Sequence, residues 1–252
     1  MIAVETIGQG RDVVALHGWG MNRDIWQGVA SRLNGCRLHL VDLPGYGQSK
    51  DVHADSIEAI VAQIADAVPA GSVWMGWSLG GIIAQAAVAS GVAISKLILV
   101  DSTASFIKRA EWQNAMEPEI LNGFALQLAD DFRATLQKFM ALQARGSEKL
   151  KDEIRLLRDT VLKYGDPDQK ALKLGLTILK QADYRQQLSR ISQPTLLIHG
   201  NRDHLIPITA VYEMATQIPN AQIREIDRAG HAPFLSHPQP FIEAVETFVH
   251  ES

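Results

Sequence analysis

Cysteine is nearly absent from this chain of 252 residues: Cys36 is the only one. One thiol cannot form an intramolecular disulfide, so the fold must hold through its core, and a reducing compartment is expected. Cys36 lies in GCRLHLVD, an apolar strand pattern, and reads as a small buried hydrophobe. An excess of positive charge is also missing. Lys and Arg number 24 against 28 Asp and Glu, a formal net charge of −4, so no global basic character points to nucleic acid. No pair of histidines stands at metal-ligand spacing with a carboxylate partner, and neither a metal nor a cofactor is expected. The stretch MIAVETIGQGRDVV has no basic segment ahead of an apolar run, so no signal peptide is read there. Residues 67–95 carry no charge and are long enough to span a bilayer. They contain Pro69 and five glycines, however, and read better as a buried strand, turn and helix. No membrane association is expected; the reading is a cytoplasmic monomer. There is no internal repeat and no low-complexity segment.

What is present is a regular alternation. Apolar residues make up 46% of the chain, enough for one sizeable α/β domain. VVALHG (13–18), RLHLVD (37–42), SVWMGW (72–77), KLILVD (96–101), TLLIHG (195–200) and QIREID (222–227) read as strands, most closed by Gly or Asp. Apolar strands alternating with helices predict a mostly parallel sheet covered on both faces, with chemistry at the carboxyl ends of the strands. The alternation stops between residues 106 and 190, where only helical spacing is found. The division expected is therefore a core from residues 1–105 and 191–252, and a helical cap, or lid, from 106–190.

WMGWSLGG contains Gly76-Trp77-Ser78-Leu79-Gly80, which matches the G-x-S-x-G nucleophile elbow. Glycines are needed where strand and helix backbones approach, and the turn raises the Ser78 hydroxyl above the sheet at the positive end of the next helix. A serine hydroxyl needs a base to take its proton, and the base needs an acid to fix its tautomer. Asp203, in LLIHGNRDHLIP, is the acid candidate, and His231, in DRAGHAPFLSHP, the base candidate. Their chain order is the one this elbow requires. Asp101 is the reserve acid. His17 reads as a brace for the loop HGWGMN, Asp42 as a brace for DLPGYGQS, and His199 as core or a neighbour of the acid. The oxyanion donors expected are the backbone N–H groups of Leu79 and Trp19, with the Trp19 side chain lining an acyl pocket.

On these motifs the chain resembles the α/β-hydrolase superfamily over nearly its full length. Within it, LHGWGMN, LHLVDLPGYGQS, GWSLGG, DDFRATLQKFMALQ and HAPFLSHP resemble the pimeloyl-[acyl-carrier protein] methyl ester esterase family of biotin synthesis. The cap stretch is the most specific of the five. The resemblance implies a carboxylic ester hydrolase with Ser78, Asp203 and His231 as its triad. It also implies substrate contacts at Trp19, Ser78, Leu79, Phe139, Met140, Ala141, Leu142, Gln143 and His231. The implied partner is an acyl-carrier protein. Between residues 133 and 163 there are eight Lys or Arg against four Asp or Glu. Arg133, Lys138, Lys151, Arg155 and Arg158 are read as a docking face for that acidic partner, Lys151, Arg155 and Arg158 by helical spacing. The bland alternative is a solvated helix face with local ion pairs to Glu148, Asp152 and Asp159. The competing activities are a general short-chain carboxylesterase or thioesterase, and a non-catalytic ligand receptor on the same fold.

Overall fold

The computed structural model describes residues 1–251. In chain order its elements are β1 (Val4–Gly8), β2 (Arg11–Leu16), α1 (Gln27–Ala30), β3 (Cys36–Val41), α2 (Ile57–Ala65), β4 (Val73–Trp77), α3 (Leu79–Ala89) and β5 (Lys96–Val100). Four helices follow without an intervening strand: α4 (Pro118–Asp130), α5 (Phe132–Ala144), α6 (Leu150–Leu162) and α7 (Gln169–Gln181). The chain then returns through β6 (Thr195–Gly200), α8 (Ile208–Gln217), β7 (Ala221–Ile226), α9 (Pro233–Ser236) and α10 (Pro238–His250).

The sheet runs β1-β3-β2-β4-β5-β6-β7. All neighbours are parallel except the β1–β3 pair. The α/β architecture expected from the alternation is therefore the one observed. Strands β4 and β6 are buried along their whole length, as a sheet covered on both faces requires. Each Val, Ile or Leu so buried contributes about 1.5–3 kcal/mol relative to exposure. The edge strand β1 was not among the strands expected. VETIG is only half buried, so it lacks the apolar run that marks β4 or β6, and its pairing with β3 is non-local.

Between β5 and β6, the described residues form the four helices, a 3-10 helix at Arg185–Arg190 and two isolated bridges, Ile107 with Met116 and Arg109 with Trp112. Local chemistry starts these helices. Pro118 opens α4, the Asp131 carboxylate accepts the Ala134 N–H at 3.0 Å to cap α5, and Asp168 caps α7 through the N–H groups of Lys170 and Ala171.

The five tryptophans, Trp19, Trp26, Trp74, Trp77 and Trp112, are all fully buried. Trp77, Phe234, Trp26 and Phe241 form a stack that runs from the end of β4 to α10, with centroid separations of 5.1 Å, 4.4 Å and 6.3 Å along it. Aromatic packing of this kind adds to area burial, and here it ties the end of β4 to the segment that follows β7.

Candidate active site

The turn after β4 is set by close backbone approach. A Cβ on Gly76 would lie 2.3 Å from the Gly80 carbonyl oxygen, and one on Gly80 would lie 2.5 Å from the Leu16 carbonyl oxygen. Neither position accepts a side chain. Ser78 between them takes a φ of 55°, a left-handed conformation that a non-glycine residue holds only when its surroundings enforce it. They do so here: the Ser78 N–H donates to Val100 O at 3.0 Å, and the Ser102 hydroxyl donates to Ser78 O at 2.9 Å.

Three loops bring the expected set together. Ser78 Oγ lies 2.9 Å from His231 Nε2, and His231 Nδ1 lies 2.7 Å from Asp203 Oδ2. The loop after β6 holds Asp203 by its other oxygen, which accepts the N–H groups of Leu205 at 2.7 Å and Ile206 at 3.1 Å. Burial opposes the Asp203 charge, but the opposing charge and hydrogen bond of His231, the His199 ring and the Leu205 N–H outweigh it, so its pKa falls below the ordinary value. An ionised Asp203 places the His231 proton on Nδ1 and leaves Nε2 free to take one from Ser78. Asp101, the reserve acid, does not contact the base; His231 pairs with Asp203.

The loop of His231 is fixed from two sides. The Trp77 indole N–H donates to His231 O at 2.6 Å, and the His231 N–H donates to Gln143 O at 3.3 Å. The first bond comes from the elbow itself, the second from α5. Sequence reasoning missed both, because each joins residues far apart in the chain. It also missed Glu153, which is buried in α6 and accepts the Ser147 hydroxyl at 2.6 Å. Burial pushes the Glu153 carboxyl above its ordinary pKa. The signal was present: residues 153, 157 and 161 stand four apart, and all three are buried.

The two expected oxyanion donors are backbone groups. Among the described residues, the N–H groups of Trp19 and Leu79 have no acceptor in the protein. The Trp19 ring packs edge-on against Phe139 at 4.8 Å, and its indole N–H donates to Leu172 O of α7 at 2.8 Å. His17 acts as the expected brace. It accepts the Leu43 N–H at Nε2, 3.1 Å, so its other nitrogen donates to Gly18 O at 2.9 Å. Burial lowers the His17 pKa and keeps the ring neutral. Asp42 likewise braces its loop, accepting the N–H groups of Arg23 and Gln48 at 2.8 and 2.9 Å.

Of the five expected α5 contacts, Phe139, Met140 and Gln143 are buried, Leu142 is half buried and Ala141 is exposed. Ala141 stands apart from the other four by helix geometry. At 100° per residue, position 141 turns away from the face that 139, 140 and 143 share. Both polar atoms of the Gln143 side chain are buried without a partner. Ser78, His231 and Trp19 are 0% exposed, so a substrate reaches Ser78 only if the cover above it moves.

The cations read as a docking face are exposed, and several are locally neutralised. Arg133 pairs with Asp166 at 2.7 Å, Arg155 with Asp152 at 3.2 Å and Arg158 with Asp159 at 3.2 Å. Lys138 donates to the neutral Gln127 amide at 2.9 Å. Asp101, His199 and Asp203 also stand together, with one ligand-type atom from each within 4.8 Å of the others. Asp203 already accepts from His231, Leu205 and Ile206, and His199 Nε2 donates to Ile206 O at 2.8 Å. Asp203 and His199 Nε2 are thus engaged with the protein, whereas Asp101 Oδ2 and His199 Nδ1 are buried without a partner.

A strained serine between a parallel strand and a helix, in line with His and Asp from the later loops, defines an α/β hydrolase. A family model described as the alpha/beta hydrolase fold matches residues 13–238, and the chain belongs to that family. An esterase from Exiguobacterium antarcticum superposes with a TM-score of 0.86 at 24% identity, covering 99% of this chain and 96% of that one. A bromoperoxidase from Bacillus anthracis does so with a TM-score of 0.88 at 19% identity, covering 99% and 95%. At these identities the likeness is one of fold. Sequence comparison goes further. The chain is 40% identical over 247 residues to the pimeloyl-[acyl-carrier protein] methyl ester esterase of Photobacterium profundum, covering 97% of each. It is 41% identical over 252 residues to that of Aeromonas salmonicida, covering 98% of this chain and 99% of the relative. The chain therefore belongs to the pimeloyl-[acyl-carrier protein] methyl ester esterase family of carboxylic ester hydrolases. No helix among the described residues is long and apolar enough to cross a membrane.

Proposed function

We propose that this protein hydrolyses the methyl ester of a pimeloyl chain carried on an acyl-carrier protein, releasing methanol and the free ω-carboxylate for biotin synthesis. The observation that carries the reading is the 2.9 Å and 2.7 Å relay from Ser78 through His231 to Asp203, in a chain alike to those esterases from end to end. Ser78 Oγ attacks the ester carbonyl carbon while His231 Nε2 takes the hydroxyl proton, and Asp203 stabilises the resulting imidazolium. The N–H groups of Trp19 and Leu79 receive the oxyanion. On collapse the methoxy group leaves as methanol with the proton from His231. Water then attacks the acyl-enzyme, His231 again accepting and returning a proton, and Ser78 is regenerated.

Residues 106–190 act as the cap over this centre. Phe139 and Met140 offer the apolar wall for a methylene chain, and the unpartnered Gln143 amide offers hydrogen bonds to its polar end. The carrier docks on the exposed basic side of α5 and α6. Lys138 and Lys151 carry most of that attraction, because Arg133, Arg155 and Arg158 each have an acidic neighbour. Those same ion pairs favour a second reading, a carboxylesterase for small free esters.

The test is kcat/KM on the carrier-bound methyl ester and on a free short-chain ester, each at low and high salt. A salt-sensitive preference for the carrier-bound ester supports the first reading. Equal, salt-insensitive use of both supports the second.

A further inference from the structure

Two buried carboxyl groups, Asp101 and Asp203, stand together, with an oxygen of each within 4.8 Å of the other. Asp101 directly follows β5, has a φ of 41° and is fully buried, as is the side chain of Asp203. A positive φ is tolerated at Asp more readily than at most residues, yet it is still a held conformation, and it directs Asp101 toward the loop that carries the acid. Its Oδ1 accepts the Gly200 N–H at 2.9 Å. Its Oδ2 is buried and meets no donor.

The count of donors decides where the charge rests. Asp203 accepts three N–H groups, from His231, Leu205 and Ile206. Asp101 accepts one. Two adjacent carboxyl groups out of water cannot both ionise, and the better solvated of the pair takes the negative charge. The remaining groups around Asp101 do not reverse this. His199 Nδ1 lies 3.4 Å from Asp101 Oδ1, but His199 Nε2 already donates to Ile206 O. In the neutral ring Nδ1 is then an acceptor, and burial keeps that ring neutral. The Glu153 carboxyl of α6 also disfavours a charge on Asp101.

We propose that Asp101 is a positioning residue for the triad: a neutral carboxylic acid whose Oδ2–H donates to the Asp203 carboxylate. This rests on the triad reading above. The burial of Asp101 and the charge of Asp203 both push the Asp101 carboxyl well above its ordinary pKa. The extra hydrogen bond spreads the Asp203 charge and weakens Asp203 as a base. The proton between Asp203 and His231 then stays on His231 Nδ1, the tautomer the mechanism needs. Asp101 touches neither Ser78 nor the substrate and acts only through Asp203.

Two variants and one spectrum test this. Asp101→Asn keeps a donor and an acceptor in the same place. It is expected to hold kcat on a free ester within a few-fold of wild type, with the acid limb of the pH–rate profile unmoved. Asp101→Ala removes the donor and is expected to lower kcat by about tenfold to a hundredfold at unchanged KM, the size of a lost hydrogen bond to a charged group. The infrared difference between wild type and Asp101→Asn should lose a protonated-carboxyl C=O band and leave the carboxylate bands intact. The proposal is overturned if the difference spectrum loses carboxylate bands, if Asp101→Asn shifts the acid limb to lower pH, or if Asp101→Ala turns over like wild type. Should Asp101→Ala fail to fold, the spectrum and the Asp101→Asn profile still decide. Failure of the triad reading is separable, because it would appear as undiminished turnover by Ser78→Ala, whereas the infrared result does not depend on catalysis.

Discussion

Replacing Asp203 with Asn tests the relay at its most sensitive point. The substitution keeps the shape of the side chain. Its oxygen still accepts the Leu205 and Ile206 N–H groups, at 2.7 and 3.1 Å in the wild type. The amide NH₂ then faces His231 Nδ1 across the 2.7 Å contact. Two donors cannot face each other there, so the imidazole proton moves to Nε2 and points at Ser78 Oγ, 2.9 Å away. The base now presents a proton where it must accept one. Tautomer inversion of this kind costs about 10⁴ in kcat, or about 5 kcal/mol of barrier at 1.36 kcal/mol per tenfold. The assay is steady-state hydrolysis of a chromogenic short-chain ester, with a circular dichroism melt to show that the fold is kept. A folded Asp203→Asn protein with kcat within tenfold of wild type would refute the assignment of Asp203 as the acid.

Four further outcomes are expected. Trp77→Phe leaves His231 O without its indole donor, now at 2.6 Å; a buried unpaired carbonyl costs about 1–3 kcal/mol, seen as a fall in Tm of about 2–4 °C per kcal/mol together with lower kcat. Gly175→Ala would place a Cβ 2.6 Å from Trp19 Cδ1, pushing α7 off the indole that donates to Leu172 O; overpacking of about 1–3 kcal/mol should lower Tm, and an unchanged melt would count against this close approach. For pH, Asp101 stays protonated in the fold while an unfolded Asp ionises above about pH 4. At this residue the unfolded chain therefore binds fewer protons, and the contribution of Asp101 to stability falls as pH rises through that point; Asp101→Asn lacks this loss, so urea titrations should find its advantage at pH 7 shrinking below about pH 4. Lys138→Glu with Lys151→Glu should raise KM for the carrier-bound ester and leave a free ester unchanged, whereas Arg155→Gln alone, already paired with Asp152, should do little.

Much of the site was legible in the sequence because its geometry restricts residue types. Only glycine fits positions 76 and 80, so the elbow is written in the chain, and the acid and base follow in the loops after later strands. The sheet was legible for the same reason wherever strands are buried on both faces. What was hidden depends on partners distant in sequence. Strand β1 is half exposed and gains its identity from β3. Trp77 is a variable position of the elbow motif, and nothing local shows that its N–H meets His231 O. Glu153 was concealed among the charges of KLKDEIRLLRD, although it sits on the stripe of Leu157 and Val161. Ala141 belongs to a contiguous segment read as substrate contacts, and helical periodicity places this member on the exposed side of α5. Charge counting overstated the basic face for a related reason. Arg133 meets Asp166, thirty-three positions away, and no local window reveals that neutralisation.

The central claim is that Ser78 carries the acyl group during ester hydrolysis. Acid-quenching the protein during turnover of a carrier-bound methyl ester, followed by peptide mass spectrometry, addresses it directly. The expected result is an acyl adduct on the peptide containing Ser78, methanol released in step with its formation, and neither in Ser78→Ala. Methanol release without an adduct, or turnover by Ser78→Ala at the wild-type rate, would contradict it.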